Sequence, residues 1–115
     1  MRDYKKYNVW ELGHEVTLEI YKLTRSFPNN ENFGLTSQMR RASSSIPANI
    51  AEGCGRESDA EFKRFLIISQ GSASELEYFT ILAKDLKYFQ EEEFLMIHDK
   101  VNKVRRSLNN LINKI

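Results

Sequence analysis

The amino-acid sequence predicts an all-α fold, an antiparallel up-down-up-down four-helix bundle, and three observations carry that prediction. Apolar residues recur at spacings of three and four through four separate stretches, the period of one helical face. Short segments holding Pro28, Gly34, Gly53 with Gly55, or an acidic run divide the stretches, and connections that short make successive helices antiparallel. The chain of 115 residues is 41% hydrophobic and 29% charged with only five Gly and two Pro, a balance suited to one ordered helical core. A single domain over 1–115 is therefore expected.

The first helix is expected over about 9–26, where Val9, Leu12, Val16, Ile20, Leu23 and Phe27 share a face. Asn8 is placed to cap its start, with Glu11 three residues on, and Phe27-Pro28-Asn29-Asn30 ends it because proline forces the preceding residue out of helical geometry. The second, about 34–54, follows Asn32-Phe33-Gly34 and turns Leu35, Met39, Ala42, Ile46, Ile50 and Cys54 inward, with Gly53 and Gly55 as stop signals. The third, about 59–87, opens on Ser58-Asp59-Ala60-Glu61, a capping box in which hydroxyl and carboxylate satisfy free amides. Its stripe is Phe62, Phe65, Leu66, Ser69, Ala73, Leu76, Phe79, Ala83 and Leu86. No Gly or Pro marks the turn at Tyr88-Phe89-Gln90, so Glu91-Glu92-Glu93 sets the boundary, acids that suit the positive end of a helix. The fourth, about 91–114, aligns Phe94, Ile97, Val101, Val104, Leu108, Leu111 and Ile115 as a bundle seam.

Two features depart from a plain bundle. Pro47 stands inside the second helix, where it deletes the amide that would bond the Ser43 carbonyl, costs about 3 kcal/mol in an ordinary interior, and is expected to bend the helix. Ser43, Ser44 and Ser45 are placed to bond backbone carbonyls locally in compensation. Arg41, Ser45, Ala48 or Asn49, Glu52 and Arg56 form a polar stripe beside it, which reads either as a solvated face or as a subunit interface or internal hydrogen-bonded network. The second feature is Ser69-Gln70-Gly71-Ser72-Ala73-Ser74, small residues in mid-helix. Gly71 costs up to about 1 kcal/mol against Ala, so another backbone or a bulky side chain is expected against it, and Glu75 is in reach of Arg40 or Arg41.

Composition excludes several functions. Seventeen basic and sixteen acidic residues leave a net charge of +1, so any nucleic-acid contact must come from a local patch. The candidate is Lys100, Lys103, Arg105, Arg106 and Lys114, a basic run with no acid after Asp99, joined more loosely by Arg2, Lys5 and Lys6 beside the stacking-competent Tyr4 and Tyr7. Base at the end of a helix is also what the helix dipole favours. No membrane-length apolar run and no export signal is present, so the cytoplasm is expected. Cys54, His14 and His98 are too scattered for a metal site, and no phosphate loop or nucleophile turn occurs, so neither metal, cofactor nor catalysis is expected.

Certain segments are recognisable together: Gln38-Met39-Arg40-Arg41-Ala42, Ser45-Ile46-Pro47-Ala48-Asn49-Ile50-Ala51-Glu52-Gly53, Phe62, Phe65-Leu66 and Gly71-Ser72-Ala73-Ser74-Glu75-Leu76. In that order and spacing they resemble the four-helix-bundle proteins encoded in intervening sequences of bacterial large-subunit ribosomal RNA genes. The resemblance covers nearly the whole chain and implies a homo-oligomer, commonly a ring-shaped pentamer. It extends to the accessory proteins of diversity-generating retroelements, which bind a reverse transcriptase and contact nucleic acid through basic surface. It places Arg41, Asn49, Glu52, Gly71 and Glu75 at signature positions, with a structural or interface role. The sequence thus points to a non-enzymatic homo-oligomeric adaptor with possible RNA or DNA contact, with a protein-only scaffold as the alternative.

Overall fold

The computed structural model describes residues 2–115. Four helices make up its body: α1 (Asn8–Leu23), α2 (Leu35–Cys54), α3 (Asp59–Asp85) and α4 (Glu91–Lys114). No strand occurs among the described residues. Each helix packs against the one before it, and α4 closes the set against α1, which is the arrangement of an up-down-up-down bundle. The body measures 43 × 24 × 19 Å.

The inward stripes are where the periodicity puts them. Val16, Ile20, Met39, Ile46, Ile50, Phe62, Leu66, Leu76, Ile97, Val101, Val104 and Leu108 are fully enclosed in one core. Burying each such side chain contributes about 1.5–3 kcal/mol, which is what holds four individually marginal helices together. Leu12 and Phe79 are only half-buried, Leu86 is exposed, and Thr80 is buried without having been expected.

Helix ends differ from expectation for local reasons. Asn8 is the first residue of α1 and not its cap, because the Tyr7 carbonyl accepts the amides of both Trp10 and Glu11. The α-helix stops at Leu23, and Thr24–Ser26 tightens into a single 3₁₀ turn in which the Thr24 hydroxyl donates to the Ile20 carbonyl at 2.6 Å. At α3 only the Ser58 half of the box forms, with its hydroxyl accepting from the Glu61 amide at 3.1 Å while the Glu61 carboxylate turns to Arg64. At α4 the Glu93 carboxylate reaches back to the Gln90 amide at 2.8 Å. The third helix ends at Asp85 because Lys87 takes the left-handed conformation (φ 66°). Tyr88 N–H then donates to the Ala83 carbonyl and Lys87 N–H to the Lys84 carbonyl, a Schellman closure with lysine in the usual glycine position. Leu86 sits in that turn, which is why it leaves the core.

Candidate functional site

Proline 47 is where the sequence most clearly needs a partner, and α1 supplies it. The Thr17 hydroxyl lies 2.9 Å from the Ser43 carbonyl that Pro47 leaves without an amide, and equally 2.9 Å from the Gly13 carbonyl on its own helix. Leaving that carbonyl bare would cost about 1–3 kcal/mol. Gly13 allows the close approach: a Cβ there would meet Ile46 Cγ2 at 3.0 Å and Pro47 Cδ at 3.5 Å. With the Ser43 carbonyl satisfied and the proline ring buried, Pro47 is accommodated within α2, which runs from Leu35 to Cys54. Ser43 and Ser44 both donate to the Arg40 carbonyl at 3.0 Å, and not to the Ser43 carbonyl that Pro47 frees.

The other side of α2 joins α3 through a polar seam. Ser69 donates to the Ile46 carbonyl at 2.9 Å, the Ser45 and Ser72 hydroxyls are 2.9 Å apart, and the Asn49 amide donates to the Ser45 carbonyl and hydroxyl. Ser45 and Asn49 therefore belong to an internal network, while Glu52 and Arg56 form an exposed i,i+4 pair at 2.7 Å. Above this seam opens a cleft of about 480 Å³ lined by Gln38, Arg41, Ala42, Ser45, Ser72 and Glu75. Arg41 and Glu75 line it from opposite helices yet form no ion pair with each other, contrary to expectation. Arg40 is committed elsewhere, with its Nε donating to Thr24 Oγ1 at 2.9 Å and its guanidinium over the Tyr21 ring.

Gly71 also departs from expectation. Nothing lies within 4 Å of the place its Cβ would occupy, so neither a backbone nor a bulky side chain of the protomer uses the gap. It stands on an outer face of α3 with Ile67, Ile68 and Tyr78, which are 53%, 40% and 58% exposed, and with Ile81 at its edge. The third helix is thus apolar both inward and outward. Sequence reading of one stripe missed this second face, although Ile67, Ile68, Tyr78 and Ile81 are visible as apolar positions off the buried period.

The basic run on α4 divides in two. Arg105 turns toward α3, where its Nη1 is 2.9 Å from Glu77 Oε1, and Lys103 pairs with Asp99 at 3.2 Å. Lys100, Arg106 and Lys114 have no ion-pair partner among the described residues. At the amino end, Arg2 pairs with Asp59 and covers the Phe62 ring, while Tyr4 packs on Trp10 and Tyr7 on Phe62. Both tyrosine rings are therefore engaged within the protomer. His14 stacks on Trp10 at 5.1 Å, and His98 stacks on Phe94 with Nε2 3.4 Å from Glu77 Oε2. Cys54 is buried, and burial pushes its thiol pKa up. No group of three or more His, Cys, Asp or Glu placed to hold a metal occurs among the described residues, and none of their helices is long and apolar enough to cross a membrane.

The family model described as 23S rRNA-intervening sequence protein matches residues 5–110. Among solved structures, the chain is similar to a protein of unknown function from the S23 ribosomal protein family of Bacteroides thetaiotaomicron. That likeness has 27% identity and a TM-score of 0.84, and covers 91% of this chain and 95% of the other. No curated protein matches the chain.

Proposed function

Since the chain belongs to the 23S rRNA-intervening sequence protein family, and a solved structure similar to it is of a protein of unknown function, we propose that it is a non-enzymatic, self-assembling helical adaptor whose α4 surface engages RNA or DNA. The observation that carries the reading is the outer face of α3. Ile67, Ile68 and Tyr78 lie open around a glycine that nothing in the protomer approaches, an arrangement that costs solvation and helix propensity unless a second copy covers it. The family resemblance favours a ring of five. Lys100, Arg106 and Lys114 are the cations available to phosphate, and repetition around a ring makes a modest patch multivalent, raising affinity by roughly a hundredfold or more.

The commitment of Arg105 to Glu77 and of Lys103 to Asp99 favours a second reading, a scaffold that binds protein alone. Fluorescence polarisation with labelled structured RNA and duplex DNA, on material sized by light scattering, separates the two. Saturable binding at low salt, weakened at physiological salt and by Lys100→Ala, Arg106→Ala and Lys114→Ala together, is expected. No binding at low salt would sink the nucleic-acid half and leave the scaffold. A monomeric mass would sink self-assembly.

A further inference from the structure

A second groove opens where α1 begins and α4 ends, and its lining is mixed in a way that no bundle seam requires. Buried Val9 and half-buried Leu111 give it an apolar floor beside Tyr7, while Asn8, Ser107 and Asn110 bring an amide, a hydroxyl and a second amide to its rim. Lys114 joins them from the last turn of α4. The space amounts to about 250 Å³. Pockets that enclose a drug-sized ligand run from roughly 300 to 1,000 Å³, so this one suits a single planar ring.

The fold does not use the polar groups of the rim. Elsewhere on α4 the amides are spent inside the protomer: Asn109 accepts from Gln70 at 2.6 Å, and Asn102 accepts from Arg105 at 3.3 Å. The side chains of Asn8, Ser107 and Asn110 take part in no such bond among the described residues. Asparagine is a poor helix former because its side chain competes for the backbone, so an exposed one inside a helix gains the protomer nothing. Cations stand on either side. Arg106 and Lys114 lie one turn before and one turn after Asn110, about 6 Å each way along the axis, and neither has an ion-pair partner among the described residues. Lys5 and Lys6 are exposed in the 3₁₀ turn that leads into Tyr7. Against them, Glu11 is the acid in the first turn of α1, and α4 carries none after Asp99.

Resting on the nucleic-acid reading of α4, we propose that this groove seats one unpaired base of a single-stranded nucleic acid, with Arg106 and Lys114 on the phosphates at either side. The chemistry of a base matches the lining point by point. Its faces are flat and suit the apolar floor. Its edge carries donors and acceptors side by side, which an asparagine amide meets with its own NH₂ and oxygen. The strand on which it hangs is anionic. A base inside a duplex is stacked on both faces and cannot enter, so a duplex reaches the cations and not the groove.

The test is fluorescence polarisation at low salt with the full-length protein and two labelled probes of equal length. One is a single strand of mixed sequence, and the other keeps every phosphate but carries abasic tetrahydrofuran units in place of nucleotides. Wild type is expected to hold the complete strand about tenfold or more tighter than the abasic one, the scale of one seated base. Asn110→Leu fills the groove and removes the amide at an exposed position, with circular dichroism confirming the fold, and is expected to erase that preference. Equal affinity of wild type for the two probes, or a preference that Asn110→Leu leaves intact, would overturn the groove while phosphate contact stands. Binding of duplex DNA alone would do the same. No binding of either strand or of the duplex would overturn both readings.

Discussion

Thr17 shows how one hydroxyl makes a proline tolerable inside a helix. Thr17→Val keeps the shape and removes the donor, so it is expected to lower stability by about 1–3 kcal/mol in urea unfolding, with little change in slope. Lys87 offers the opposite case. Its left-handed backbone strains any residue with a Cβ by about 1–2 kcal/mol, and glycine's extra chain entropy returns part of the gain. Lys87→Gly is therefore expected to stabilise by up to about 1 kcal/mol, seen as a rise of a few degrees in Tm. Pro47 was legible in the sequence as a problem, and Ser43 and Ser44 as local donors to backbone carbonyls, though not to the one the proline frees. Thr17 was not, because its contact spans 26 residues and no local pattern records it. Lys87 was equally hidden, since a lysine doing the work of a C-terminal glycine leaves no signature.

Among the elements, α3 and the 28–34 loop carry the interactions that remain unsatisfied. Gly71 has open space around it, so Gly71→Ala is expected to raise protomer stability by up to about 1 kcal/mol, measured by urea unfolding. Glu31 gives the loop a pH dependence. The hydrogen bond from the Leu35 amide, then that from the Tyr88 hydroxyl, hold its carboxyl below the ordinary range, and the same bond pushes the Tyr88 phenol up. A carboxylate whose folded pKa is depressed adds stability above its unfolded pKa and loses it as pH falls through the folded value. The urea midpoints of wild type and Glu31→Gln are thus expected to differ at about pH 7 and to converge as pH falls through the folded value, below the ordinary carboxylate range. The core faces of all four helices could be read from spacing, because burial imposes a period. The outer face of α3 and the bare Phe33 could not, since burial within the protomer imposes no period on residues it does not cover.

At the scale of the whole molecule, the two proposed activities respond to different forces. Apolar contact between copies is insensitive to moderate salt, whereas phosphate contact is screened and releases counterions. Raising salt from about 50 to about 200 mM is expected to weaken nucleic-acid binding by an order of magnitude or more while the light-scattering mass stays constant. Both activities entered the sequence reading through the family resemblance and a basic run. The fold then showed which cations of that run are already occupied.

Charge is divided along α4. Residues 91–99 hold four acidic side chains and no Lys or Arg, and residues 100–115 hold five basic ones and no acid, so α4 by itself is electrically a rod with unlike ends, while Lys22, Arg25, Lys84 and Lys87 on the neighbouring helix ends offset its acidic tip. In the proposed ring, copies related by a rotation axis along the bundle would point the same way, and the basic ends of α4 would gather on one rim. Such a ring would have a front and a back, and a nucleic acid would meet it from the basic side.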